Sequence, residues 1–213
     1  MAASPGVASA AVAQSAIPRA EGDAPIARPA WRQLASSTEL TRIGFGLCLV
    51  QGRPQAIWSA VIAARPQLFL MMGDNVYGDF DTKDGARLAA AYGQVARDAD
   101  LTRAAASMPM LAIWDDHIFG LNDGGSEFAH KGVAVRMFAS FWAGSGTLDG
   151  TRGPGIAYGR TFGPEGRRVQ VVMLDTRSFR SALRRKPADD KAGGRYVPDA
   201  DPAKTLLGAD QWA

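Results

Sequence analysis

Residues 68–80 read LFLMMGDNVYGDF, and the interpretation of the whole chain turns on them. An apolar run from Leu68 to Met72 meets Gly73 and then Asp74, Asn75, Tyr77 and Asp79. A run this short, closed by glycine, has the pattern of a buried strand in a parallel sheet. In open α/β sheets ligands collect at the carboxyl ends of strands, which places Asp74 to Tyr77 where a ligand would be held. One polar cluster is weak evidence. The reading depends on whether neighbouring strands deliver partners to the same edge.

Working outward, residues 42–50, RIGFGLCLV, predict a first strand that ends near Cys48. PQAIWSAVIAARP follows as a helix, with Pro54 in its first turn, Pro66 stopping it, and Ile57, Trp58, Val61 and Ile62 on one face. Strand, helix and strand make a βαβ unit, for which a right-handed crossover is expected. Beyond residue 80, Asp84 caps a helical stretch through Leu88, Tyr92 and Val95 that continues, bent or broken, to Met108. Pro109 ends it. MLAIW is then a third strand, running into Asp115, Asp116 and His117.

After the loop FGLNDGGSEF, the spacing of Val133, Met137, Phe138 and Phe141 predicts a helix from about Phe128 to Ala143. GIAYGRTFG and RRVQVVMLDTR are separated by Gly163-Pro164-Glu165-Gly166 and predict a β-hairpin. Residues 169–174 are apolar enough for a central strand ending at Asp175-Thr176-Arg177. Residues 184–204 read as an exposed excursion, and residues 206–213 start a new helix. The Ala-, Ser- and Pro-rich residues 1–30 form a disordered or export-signal-like arm, without the basic n-region and Leu-rich core of a clear signal.

Composition excludes several classes. In 213 residues, 46% hydrophobic and 21% charged is ordinary for a folded enzyme domain. Lys and Arg exceed Asp and Glu by 24 to 21, a net +3, which favours an anionic small molecule modestly and does not mark a nucleic-acid binder. Arg184-Arg185-Lys186 is too short a basic run to change that, and reads as a solvated loop. The one cysteine, Cys48, excludes an intrachain disulfide. No apolar stretch approaches the ~20 residues that span a bilayer.

Three strands therefore end in Cys48, in Asp74-Asn75-Tyr77, and in Asp115-Asp116-His117, with Asn122 a short loop later. Carboxylate and amide oxygens suit calcium, magnesium or manganese. Thiol and phenol ligate only after losing protons held to about pH 8.5 and about pH 10, so Cys48 and Tyr77 together point to a strong Lewis acid such as ferric iron. Metal clusters of this kind clamp phosphoryl oxygens and activate water at neutral pH. Each residue also has an ordinary reading. A strand cysteine is most often a small buried hydrophobe, Asp74 and Asn75 close turns, and Asp116 with His117 can be a structural pair. His130, in a helix outside any motif, reads as structural.

These stretches, together with RPQLFLMMGDNVYGD, MPMLAIWDDHIFGLNDGG, FGPEGRRVQVVMLDTRSFRSAL and TLLGADQWA, resemble the PhoD-like alkaline phosphatase and phosphodiesterase family of calcineurin-like metallophosphoesterases. The resemblance runs in order over most of residues 42–213. It implies an α/β fold, a βαβ-rich two-sheet sandwich flanked by helices, of which residues 31–213 are the N-terminal part, truncated at the C-terminus. It implies hydrolysis of a phosphomonoester or phosphodiester with calcium and iron, or other divalent metals, in a periplasmic or extracellular protein. By motif, Cys48 and Tyr77 are iron ligands and Asp74 the bridging carboxylate; Asp116, His117 and Asn122 face metal and phosphate, and Arg177 is a substrate or supporting group.

Leu47 stands where the family has serine, and Ile118 where it has an acidic residue, which predicts a weakened metal shell. The family draws its last ligands from a Gly-Asp-x-His motif further downstream. The expectation is thus an inactive isolated chain from a metal-dependent phosphoric ester hydrolase. The alternative is a non-catalytic phosphate-binding or interaction relative with a decayed site.

Overall fold

The computed structural model describes residues 26–151, 153–190 and 193–212. Residues 1–25 of the expected arm lie outside that range. From residue 26 the chain is docked: Ile26 packs on the core, and Arg28 Nη1 donates to the Ser140 carbonyl at 3.2 Å. Trp31 stacks on Trp142 at 4.4 Å and donates from Nε1 to the Phe141 carbonyl at 2.9 Å.

Three parallel strands in the order β1-β2-β3 carry the fold: β1 (Ile43–Gly46), β2 (Leu68–Met72) and β3 (Met110–Ile113). The register pairs Phe45 with Leu70 and Leu70 with Leu111. β2 and β3 form where the apolar runs predict. β1 is shorter than expected and stops before Cys48, whose φ of 60° cannot continue a strand. The chain nevertheless stays on its neighbour, because Leu49 N–H donates to the Asp74 carbonyl at 2.8 Å. Cys48 is exposed, which removes the buried-hydrophobe reading.

Helix α1 (Ile57–Ala64) begins three residues beyond Pro54. Gln55 Nε2 turns back to the carbonyls of Val50 and Arg53 and holds a turn there first. Trp58 alone of the predicted face is fully buried, edge-on to Phe69 at 5.2 Å, and Ile57 is exposed. Arg65 closes the helix in the left-handed region just before Pro66. The next helical stretch is two helices, α2 (Ala86–Val95) and α3 (Ala99–Ser107). Asp98 divides them: it is extended, and its side chain accepts from Leu101 N–H at 2.8 Å as a new N-cap. Asp84 accepts from Ala86 N–H one residue ahead of the Gly85 cap.

A single turn, α4 (Asp116–Phe119), follows β3 and was not foreseen; α5 (Lys131–Trp142) starts after Phe128 rather than at it. Met137, Phe138 and Phe141 of α5 are core, as their spacing predicts. The hairpin of β4 (Tyr158–Phe162) and β5 (Val169–Met173) is antiparallel, with Tyr158 opposite Met173. β5 is not a central strand among the described residues. It pairs only with β4, and its residues alternate, Val171 and Met173 buried while Val172 is 58% exposed. The outer edge of β3 is closed by side chains instead: Ala112 N–H donates to Thr147 Oγ1 at 3.1 Å, and Tyr158 O–H donates to the Ala112 carbonyl at 2.8 Å.

Residues 206–212 form a 3₁₀ turn over Asp210–Trp212 rather than an α-helix. Gln211 pairs with the Asp175 backbone in both directions, at 2.8 and 2.9 Å. Lys186 is not simply solvated, being ion-paired to Asp190 at 3.1 Å. No helix among the described residues is long and apolar enough to cross a membrane.

Candidate metal centre

Two close approaches bring the strand ends together. Gly73 has φ 131°, and a Cβ there would lie 2.9 Å from Asp115 Cβ, so only glycine lets the β2 and β3 ends approach this closely. Gly120 closes α4 with φ 115°, where a Cβ would meet the Phe80 ring at 2.5 Å. Between these points Asp74 itself takes φ 36°, an uncommon conformation for a residue with a side chain.

Asn75 turns inward. It is buried, donates to the Ile113 carbonyl at 3.0 Å and accepts from Trp142 Nε1 at 3.3 Å, so it ties β2 to β3 and α5. Tyr77 is held by Gln51 through two backbone-to-amide bonds of 2.6 and 2.9 Å. Cys48 lies close enough to its hydroxyl to perturb it. The structure thus sets the thiol and the phenol of the sequence reading side by side, from two different loops.

Ligand atoms of Asp74, Asp116 and His117 lie within 4.8 Å of one another. His117 N–H donates to Asp74 Oδ1 at 3.3 Å, and Asp123 N–H donates to Asp116 Oδ2 at 2.9 Å. His117 Nδ1 lies 2.7 Å from Asp79 Oδ2, which leaves Nε2 for any other partner. The Tyr77 and His117 rings are 4.6 Å apart. Arg177 pairs with Asp115 through both Nε and Nη2, and Nη2 is also 3.8 Å from Asp116 Oδ1. Asn122 is exposed and donates to Asp123 Oδ2 at 2.9 Å.

The charges in this cluster oppose one another. Burial, then the neighbouring Asp116 and Asp115 carboxylates, push the Asp74 pKa up to about 6, against the pull of His117. Burial, and then Cys48, raise the Tyr77 hydroxyl above its ordinary range. Asp116 goes the other way. Burial opposes its charge, but the Asp123 N–H, Arg177 and His117 outweigh it and lower the pKa. For His117, burial disfavours the charged ring, yet the Asp79 hydrogen bond and the surrounding carboxylates raise its pKa. Two carboxylates and an imidazole around one point match the donors of a hard or borderline divalent cation, which would relieve their repulsion.

Ile118 points away from this centre. It is fully buried in the hydrophobic core on the inner side of α4, and the carboxylate next to His117 comes from Asp79 instead. Leu47 is 62% exposed beside Cys48. His130 keeps its structural role, packed near Phe80 and Phe128. Several participants escaped the sequence reading. Asp79 was visible only as another acid in the opening stretch, Gln51 had no signal, and Asp175 looked like the start of a site motif. Asp175 is a structural hub: fully buried, it accepts from Trp114 Nε1 and from the backbone N–H groups of Ile156, Arg177 and Ser178.

No family model and no curated protein matches the chain. Its fold is similar to the solved structure of PhoD, with a TM-score of 0.60 and 19% identity over 86% of this chain and 39% of that one. The chain thus spans about two fifths of the length of that protein. At this identity the likeness establishes the fold, which is PhoD-like and mixed α/β around a parallel sheet.

Proposed function

We propose that the chain carries part of the centre of a metal-dependent phosphoric ester hydrolase of the alkaline phosphatase or phosphodiesterase type. The convergence of Asp74, Asp116 and His117 at the ends of β2 and β3, in a PhoD-like fold, supports this reading most directly. Asp74 and Asp116 would hold calcium or another hard divalent cation, with His117 and the nearby Asn122 completing the donors this segment offers. Cys48 and Tyr77 would hold iron, whose charge is needed to deprotonate a phenol that burial keeps neutral.

Bound cations polarise phosphoryl oxygens and lower the pKa of water. The protein groups would do the rest. Asp79 fixes the His117 ring so that Nε2, the nitrogen left open, would face the cation. Arg177 retains one buried donor, Nη1, without a partner, and a phosphoryl oxygen is the acceptor that would satisfy it. The substrate would be a phosphate-ester small molecule, met outside the cytoplasm, with the remaining ligands supplied by the part of the PhoD-like fold beyond residues 31–213.

The test is metal analysis of the 213-residue chain after exposure to calcium and ferric iron, with D74A alongside. Bound metal that D74A releases is expected, and a wild-type chain that takes up neither metal would sink the proposal. A longer chain extended through the later ligands should then hydrolyse a chromogenic phosphodiester. Metal uptake with no turnover in that longer chain would favour the non-catalytic, phosphate-binding alternative.

A further inference from the structure

Asp123 joins the candidate metal centre to a distant part of the chain. It holds φ 57°, a left-handed conformation that a non-glycine residue keeps only when its surroundings impose it. Its backbone N–H donates to Asp116 Oδ2 at 2.9 Å. Its carbonyl accepts from Arg180 Nη2, which also donates to the Gly124 carbonyl at 2.8 Å. Its carboxylate oxygen Oδ2 accepts from Asn122 Nδ2 at 2.9 Å and from the Tyr196 hydroxyl at 3.0 Å, with Arg195 Nη1 at 3.6 Å.

Tyr196 and Arg195 belong to a strap whose two arms are paired. Lys186 N–H donates to the Arg195 carbonyl at 3.1 Å and Val197 N–H to the Arg184 carbonyl at 3.0 Å. Arg185 lies over the Tyr196 ring at 5.8 Å from its centre. The strap therefore has a fixed base, and Tyr196 and Arg195 carry it onto the Asp123 carboxylate of the 121–126 loop.

We propose that Asp123 is a positioning residue for Asp116. Clamped by Tyr196 and Arg195, it holds its own N–H on Asp116 Oδ2 and so presents Oδ1 to a cation. The proposal rests on the metal-centre reading above, and it adds that the paired arms 184–186 and 195–197 set the strength of that centre from outside it.

The test uses the 213-residue chain with calcium as the probe, and the variants D123A, D123N and Y196F. D123A is expected to weaken calcium binding about tenfold, the usual scale for losing a group that orients a ligand. Y196F should weaken it severalfold, and D123N, which tolerates the left-handed conformation and keeps an acceptor for Tyr196, should recover most of it. Thermal midpoints of Y196F and D123N should match wild type, which separates positioning from general destabilisation. In the metal-free protein, amide hydrogen exchange of residues 121–126 should quicken in D123A and Y196F.

Unchanged exchange and unchanged calcium affinity in Y196F would overturn the proposal, even if D123A failed to fold. A wild-type chain that binds no calcium would overturn the metal-centre reading instead. The exchange rates then decide alone whether the clamp holds Asp116.

Discussion

Asp79 Oδ2, in the loop that leaves β2, lies 2.7 Å from Nδ1 of His117 on α4, which follows β3. This contact sets the imidazole orientation and favours its protonated form, although burial works the other way. Replacing Asp79 by Asn removes the charge and keeps the shape. The His117 pKa in D79N should fall, because the raising contribution is lost and the burial penalty remains. Proton NMR titration can follow it, since the chain has only two histidines. Calcium affinity should fall with it, by about tenfold.

Asp74 makes the metal-free protein pH-sensitive. Its folded pKa of about 6 lies above the unfolded value of about 3.9, so the folded state holds the proton more tightly. Stability from this group is present in acid and is lost as pH rises from about 4 through 6. D74N should therefore be more stable than wild type at pH 8, by about 1 kcal/mol once solvent screening is allowed for, and no more stable at pH 4. Urea denaturation at the two pH values reads the difference. Metal uptake by the wild type should weaken as pH falls below about 6, when the proton competes for Asp74.

Arg177 keeps Asp115 and Asp116 compatible. Its side chain is only 14% exposed. R177A leaves both carboxylates without their cation, and a loss of about 2 kcal/mol is expected, below the full cost for a buried pair because Asp115 retains some solvent. R177K should recover only part of it, since lysine cannot span Asp115 through two nitrogens. Equilibrium unfolding at pH 8 measures both.

Gly73 permits the strand ends to meet. In G73A the new methyl would need the space of Asp115 Cβ, at a φ of 131° that alanine avoids. About 2 kcal/mol should be lost, or roughly 4–8 °C in thermal midpoint for a chain of this size. Equal midpoints for G73A and wild type would count against the close approach.

Apolar runs ending in Gly or bounded by Pro placed β2 to the residue and β3 to within one, Trp114 lying just beyond it, because burial on both faces demands an unbroken run of such side chains. The helix faces of α5 were legible for the same reason. Ends were less so. Cys48 breaks β1 by a backbone conformation that its side chain does not announce, and Gln55 delays α1 through hydrogen bonds to Val50 and Arg53. Apolar content made β5 look central, but the same residues suit a hairpin with one wet face, and Val172 lies on that face.

From the sequence alone came the order of the strands and of the longer helices, the polar tips of β2 and β3, and the candidate set Cys48, Asp74, Tyr77, Asp116 and His117. These follow from local chemistry: hydrophobic period, turn residues and the donor types that metals accept. Only the tertiary structure decided which groups meet. It drew Asp74, Asp116 and His117 within 4.8 Å, set Cys48 on Tyr77, gave His117 its partner in Asp79, and turned Ile118 and Asn75 into the interior. Those pairings depend on strand register, on two glycines at close approaches and on positive φ at Asp74 and Asp123, and they join residues up to 73 positions apart, as in the Tyr196–Asp123 bond. Contacts over such separations are set by the packing of the whole core, which no local stretch encodes.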